Sequence, residues 1–512
     1  MSASSASPRQ ADAAVIDVGS NSVRLVMYRV DGRAIWTVFN EKVLAGLGRH
    51  ISTSGRLSGE GVGTALVALA RFRALIESAR PGRVHAVATA AVRDAADGLS
   101  FCRRVESETG LRLQILSGTE EARFSALGVI AGAPGAEGLV GDLGGASLEL
   151  TRIVDGVPGG AGVTLPLGPF AFEPPFDPAW VRATVGRELR DIRADFRSKT
   201  LNAVGGAWRN LALLQMRYSD YPLGIVHQYE LSRSDALDAA RFIAQQSRGS
   251  LERVDGISRR RVEGLPHAAA VLEGLVSSLE IERVTLSAYG LREGLIFNSM
   301  RKRTRAMDPL VAGCAALGGR PRAAELFGST LEHWLREPFA SLSPIFGGRD
   351  GVLLAAACRL ADFGAQLHPD HRADLVFDQV LRAPIPGVGH RERIFLACAA
   401  FGRHTASALM PEPDIVARLL SPERYQRARA LGAAIRLGCD LSGRSPELLS
   451  HARLDFRPNT ITLQADEGWE AVLLGEQIAK RANTLAGMLE RELKIKAKPS
   501  PSIAPDRKRL AG

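Results

Sequence analysis

Asp17-Val-Gly-Ser-Asn-Ser22 and Asp142-Leu-Gly-Gly-Ala-Ser147 share one grammar: an acidic residue ends an apolar run, and small polar residues follow. Such wording suits phosphate, because Gly and Ser let backbone N–H groups close on an anion. The runs Ala13-Ala-Val-Ile16 and Gly138-Leu-Val-Gly141 read as buried strands, and the chain turns straight back as Val23–Val30 and Leu148–Ile153. Each loop is therefore expected at the tip of a β-hairpin. One such tip occurs in many proteins that bind nothing there; two with the same wording point to a phosphate site.

The elements that must position these tips alternate. Gly59 to Ala79 carries a helical apolar spacing (Val62, Leu66, Leu69, Phe72, Leu75, Ile76), Arg83 to Ala90 reads as a strand, Gly98 to Thr109 as a helix and Leu111 to Leu116 as a strand. Gly132-Ala-Pro-Gly-Ala-Glu-Gly138 is a turn-rich hinge. The expected order is a disordered stretch 1–12, an α/β lobe 13–135, a second α/β lobe 136–305, a helical domain 306–450, an α/β patch 451–495 and a disordered basic tail 496–512. Ser117-Gly-Thr-Glu120 fits a capping box, which assigns Glu120 to the Ser117 backbone and frees Glu121 to face elsewhere. On local sequence alone Glu121 reads as a helix-start carboxylate worth about 0.3–1 kcal/mol.

At 512 residues the chain needs several cores. Its charge of +10, nearly all Arg, is either a compositional bias or a match to an anionic partner. Arg offers a fixed fork of donors to phosphate oxygens. No recognition-helix, zinc-finger or aromatic RNA-platform pattern accompanies the charge, so nucleic acid ranks low. Five scattered Cys without a Cys-x-x-Cys pair read as small buried apolar residues. The first dozen residues lack an apolar signal core and no run spans a bilayer, so the expectation is a cytoplasmic protein without membrane contact.

Six ordered segments carry a resemblance: Ala14–Ser22, Ala88–Arg93, Leu116–Arg123, Gly141–Glu149, Ala203–Gly206 and Tyr289–Gly294. Together they resemble the exopolyphosphatase and guanosine pentaphosphate phosphohydrolase family, a branch of the superfamily of acetate and sugar kinases, actin and the heat-shock chaperone ATPases. The resemblance implies two actin-like (ribonuclease H-like) α/β lobes with the active site in the cleft between them. It implies Glu121 as catalytic base, Arg93 as a phosphate-gripping arginine, and Gly19, Ser20, Asn21, Ser22, Gly144, Gly145, Ala146 and Ser147 as the phosphate cradle. Asp142, Glu149 and Asp17 would hold or place Mg²⁺, with Mn²⁺ as a substitute; Glu149 could instead be a paired carboxylate supporting its loop. Ala146 stands where the family usually has Gly and Leu148 where it has Thr, and Ala146 fits without strain only at negative φ. Arg292 and Glu293 read as an internal pair with a mainly structural task.

Beyond Asp308 the likeness loosens to a helical domain. Leu353–Gly364 with His368, His371 and His390 resembles an HD hydrolase fold whose His–Asp pair has become Ala361–Asp362, so a two-metal centre is not expected there. The three histidines read as surface or interhelical residues. The expected activity is processive release of orthophosphate from inorganic polyphosphate by a homodimer. The alternatives are a guanosine pentaphosphate 5′-phosphohydrolase, a non-catalytic phosphate or nucleotide sensor, and a kinase.

Overall fold

β1 (Ala13–Val18) is apolar at almost every position because both of its faces are covered. Its alternate residues feed different cores. Ala14, Ile16 and Val18 pack with Leu69 and Phe72 of the helix Gly59–Ala79 and with Phe101 and Val105 of the helix Gly98–Thr109. Ala13 and Val15 point the other way, toward Phe124, Leu127, Leu291 and Leu295. The computed structural model describes residues 11–49, 51–172, 177–253, 262, 264–318 and 322–496. Apart from residues 11, 12 and 496, the stretches 1–12 and 496–512 expected to be disordered lie outside the described residues.

The chain forms two compact units, one running through Pro309 with Pro386–Gly389 added, the other holding the remainder. In the first unit β1 lies between β2 (Val23–Asp31), antiparallel, and β4 (Arg83–Ala88), parallel; β3 (Ala34–Val43) and β5 (Gln114–Ile115) complete the order β3-β2-β1-β4-β5. A second sheet repeats this connectivity. β6 (Gly138–Leu143) lies between β7 (Leu148–Val154), antiparallel, and β9 (Thr200–Val204), parallel, in the order β10-β11-β9-β6-β7-β8 with β8 at Val157–Leu165, β10 at Glu230–Ser232 and β11 at Arg283–Leu286. In each sheet the strand order thus runs outward both ways from β1 or β6. The carboxyl ends of strands at such a switch are where open α/β sheets bind ligands.

Two strands escape a reading by alternation. β8 is Gly-rich and largely exposed, and the outer half of β3 has no buried position. Conversely the strand expected over Leu111–Leu116 shrinks to Gln114–Ile115, because only Val87 and Ala88 of β4 lie opposite it.

The helices Gly118–Gly132 and Leu291–Ser299 pack on each other and share one core with residues of both sheets, among them Val15, Val26, Val140 and Val204. Their backbones nearly touch. A Cβ on Gly294 would stand 1.8 Å from the Phe124 carbonyl oxygen, and one on Gly128 would stand 2.0 Å from that of Gly290. This contact fixes where both helices begin, and so where Glu121 and Arg292 stand. Gly294→Ala is expected to cost about 1–3 kcal/mol or more as overpacking against backbone, read as a lower urea midpoint at unchanged slope. An unchanged midpoint would mean that the helices part freely.

The second unit, described by itself, is helical up to Ser450 and ends in a sheet of order β12-β13-β14, with β12 at Ala452–Arg457, β13 at Thr460–Ala465 and β14 at Glu492–Lys496. Its main helices include His390–His404, Pro422–Ser442 and Glu476–Met488. Ala361 is buried and Asp362 Oδ1 accepts from Arg444 Nη1 at 3.1 Å. His368 and His371 are exposed, whereas His390 is buried. Cys314, Cys358, Cys398 and Cys439 are buried free thiols, with Cys102 half-buried. Among the described residues no helix is long and apolar enough to cross a membrane.

Candidate phosphate site

The hairpin register of β1 and β2 runs to Val18 opposite Val23, and that of β6 and β7 to Leu143 opposite Leu148. Two four-residue tips remain, Gly19–Ser22 and Gly144–Ser147, and they close identically. Gly19 N–H donates to the Ser22 carbonyl at 3.0 Å, and Gly144 N–H to that of Ser147 at 2.9 Å. Both are pinned by their outer carbonyls. Gly48 N–H donates to Ser20 and Gly46 N–H to Asn21 at 2.8 and 3.0 Å; Phe170 N–H donates to Gly145 and Gly168 N–H to Ala146 at 2.8 and 3.1 Å. Among the described residues the N–H groups of Ser20, Asn21, Gly145 and Ala146 have no protein acceptor. Rigid tips with their carbonyls bound and these donors unspent are suited to an anion.

The tips also meet. A Cβ on Gly145 would lie 3.2 Å from Ser20 Cβ and 3.5 Å from the Asn21 nitrogen, so Gly at this position is what allows the approach. Ala146 lies outside the positive-φ residues, so its methyl brings no backbone strain, and Leu148 is buried in the second lobe's core.

Glu121 is held by its neighbour's task. Glu120 accepts from Ser117 N–H and Oγ at 2.9 and 2.8 Å, completing the capping box. Glu121 Oε2 instead accepts from Arg93 Nη1 at 3.0 Å, with 12% of its side chain exposed. Burial raises its carboxyl to about 7 even though Arg93 pulls the other way. Arg93, on the short helix Ala90–Asp94, is itself steadied by the Leu116 carbonyl at 3.2 Å and by Asp94 at 3.1 Å.

Asp142 and Glu149 stand directly opposite each other across the β6–β7 hairpin, which puts their side chains on one face. Asp142 Oδ2 accepts from Ser125 Oγ on the helix Gly118–Gly132. Burial pushes its carboxyl up, against Ser125 and Arg292. Glu149 is buried, with Oε1 lacking a hydrogen-bond partner among the described residues, and burial followed by the Glu121 charge moves its carboxyl well above the usual carboxylate range.

Arg292 does not pair with Glu293 as expected. Arg292 Nη1 donates to Asp17 Oδ2 at 2.7 Å, while Glu293 caps its own helix through Gly290 N–H at 2.9 Å and accepts from Tyr28 OH at 2.7 Å. The reason is the one that governs Glu120: a Glu three residues into a helix turns back to the N-terminus. That spacing was a usable signal for Arg292, and it was missed. Arg24, two residues past the first tip, is lowered to about 10 by burial and then by Arg292 and Arg209. So Arg24, Arg209 and Arg292 lie close enough to act on one another, while Arg93 is paired with Glu121. Nothing in the sequence marked Ser125 or Arg209, which arrive from separate helices.

Among the described residues no three His, Cys, Asp or Glu side chains converge tightly enough to hold a metal by themselves. Mg²⁺ asks for less, commonly one or two carboxylates with waters and phosphate oxygens completing six ligands. The facing pair Asp142 and Glu149, with its unpartnered buried Oε1, meets that requirement. Asp17, the third expected carboxylate, is engaged by Arg292.

A model described as Ppx/GppA phosphatase family matches residues 25–303, and one described as Exopolyphosphatase, C-terminal, matches residues 334–495. Exopolyphosphatase 1 of Mycobacterium leprae is 28% identical over 304 residues, which is 56% of this chain and 88% of that protein. Exopolyphosphatase 1 of Mycobacterium tuberculosis (strain H37Rv) is 28% identical over 302 residues, 56% and 87% of the two chains. Among solved structures, an exopolyphosphatase from Cytophaga hutchinsonii has a TM-score of 0.51 at 22% identity, covering 56% of this chain and 96% of its own, a likeness of fold. An exopolyphosphatase-like protein has a TM-score of 0.51 at 25% identity, covering 57% and 98%.

Proposed function

The chain belongs to the Ppx/GppA phosphatase family, and on that footing we propose that it is a metal-dependent exopolyphosphatase, releasing terminal orthophosphate processively from inorganic polyphosphate. The observation that carries this reading is the meeting of two identically closed tips with unspent N–H donors beside a buried carboxyl raised to about 7. Relatives named exopolyphosphatase support the substrate class.

In this mechanism the donors of Ser20, Asn21, Gly145 and Ala146, with the hydroxyls of Ser22 and Ser147, receive the oxygens of the terminal phosphoryl group. Gly19 and Gly144 close the tips behind them. Glu121 takes a proton from water as the water oxygen bonds to the terminal phosphorus, and the bridging P–O bond breaks to leave the shortened chain. Arg93 steers Glu121 and offsets charge that builds on the transferring group. Arg24, Arg209 and Arg292 draw in the polyanion. Asp142 and Glu149 would hold Mg²⁺, which supplies positive charge to the phosphate oxygens; Asp17 would help place it once Arg292 engages phosphate. The family resemblance further supports a cytoplasmic homodimer whose helical unit descends from an HD-like fold.

Phosphate release from long polyphosphate, tripolyphosphate and guanosine pentaphosphate, measured side by side, tests the assignment. Polyphosphate should be hydrolysed fastest; a preference for the nucleotide would reassign the substrate, and no release from any of the three would leave a sensor. Asp142→Asn and Glu149→Gln should each raise the Mg²⁺ concentration needed for half-maximal activity, since each removes a carboxyl that the metal could bind in its ionised form. A Glu149→Gln titration that overlays the wild type would identify Glu149 as a neutral prop for its loop.

A further inference from the structure

In the helical unit, Arg436 on Pro422–Ser442 and Arg481 on Glu476–Met488 both reach the same oxygen of Asp440. Arg481 Nε is 2.8 Å from Asp440 Oδ2, a hydrogen bond, whereas Arg436 Nε is 4.0 Å away, too far for one. Among the described residues Arg436 makes no hydrogen bond, yet only 19% of its side chain is exposed. None of its guanidinium nitrogens is fully buried, so its five donors face solvent and are open to a ligand. One carboxylate shared by two guanidinium groups leaves an unbalanced positive charge, to which Arg403 adds a third cation.

These groups open on a recess lined by Thr405 and Thr484 together with Arg436 and Arg481. The recess lies beside the close approach of the helices His390–His404 and Pro422–Ser442 at Gly402 and Gly432, where a Cβ on Gly432 would stand 2.5 Å from the Ala399 carbonyl. Its volume is about 10 Å³, one water's worth, so a larger ligand would have to lie at its mouth, beside the guanidinium groups. The local field is positive enough to help depress neighbouring His404: burial first, then Arg403, brings it down to about 4.

We propose that Arg436 and Arg481 form a binding site for a phosphate-type oxyanion in the helical unit, apart from the hairpin site. Arg436 would spend its idle fork on two oxygens, while Thr405, whose hydroxyl oxygen accepts from Ser407 N–H and keeps its own proton to donate, is placed to add a hydroxyl contact. The oxyanion is either free orthophosphate or one phosphoryl group of a longer chain.

Hydrogen exchange in the full chain, in metal-free buffer at matched ionic strength, tests this with orthophosphate and tripolyphosphate as probes. Peptides covering Thr405, Arg436 and Arg481 should exchange about tenfold more slowly at roughly ten times the dissociation constant. Arg436→Gln should abolish the protection, and Arg436→Lys should restore only part because the fork is lost. Asp440→Asn should tighten binding by freeing both guanidinium groups, a gain that a merely damaged fold would not give and a readout that stands if Arg436→Gln does not fold. Protection by orthophosphate assigns the free anion, and protection by tripolyphosphate alone assigns the chain. No protection by either probe, or equal protection in Arg436→Gln, overturns the site. None of these readouts requires hydrolysis, so the proposal fails or survives separately from the function proposed above.

Discussion

Glu121→Gln is expected to lower kcat by about 10²–10⁴-fold while polyphosphate affinity changes no more than a few-fold, because the amide keeps the shape and loses the base. The pH profile adds a signature. A base with its carboxyl at about 7 is protonated below that pH and cannot accept a proton, so the rate should fall about tenfold per unit on the acid side and level off above. Glu120→Ala is the control: that residue serves the Ser117 cap, so the substitution should cost stability and spare the profile. Wild-type turnover in Glu121→Gln would reduce Glu121 to a helix-start carboxylate.

Arg93→Ala should reduce kcat/KM by about 10²–10³-fold, the range found when a donor to developing charge is removed. It should also move the acid limb upward. Arg93 opposes the effect of burial on Glu121, so without it the carboxyl rises further above 7 and the base is available only at higher pH. Arg93→Lys should recover part of the rate, since a point charge cannot reproduce the planar fork that bonds Asp94 through Nε while Nη1 bonds Glu121 and the Leu116 carbonyl. A normal limb in Arg93→Ala would show that the pair seen between Arg93 and Glu121 is not maintained during turnover.

What the sequence determined by itself is local. The two tips were legible because a strand, a small polar turn and a returning strand are neighbours in the chain, and their hydrogen bonds close within four residues. The division of labour between Glu120 and Glu121 was legible for the same reason, since a capping box is satisfied inside one helical turn. Only the tertiary structure decided what those pieces face. Arg292 meets Asp17 across 275 positions of sequence. Ser125 reaches Asp142 because the Gly118–Gly132 helix is pressed against its partner helix at Gly128 and Gly294. The elevated Glu121 and Glu149 carboxyls exist only after burial has removed their water, a quantity no single stretch of chain contains. Likewise Asp142 and Glu149, seven residues apart, become a facing pair through register alone. Residue types fix which chemistry is available; long-range packing sets distance and dielectric, and these decide which groups can perform it.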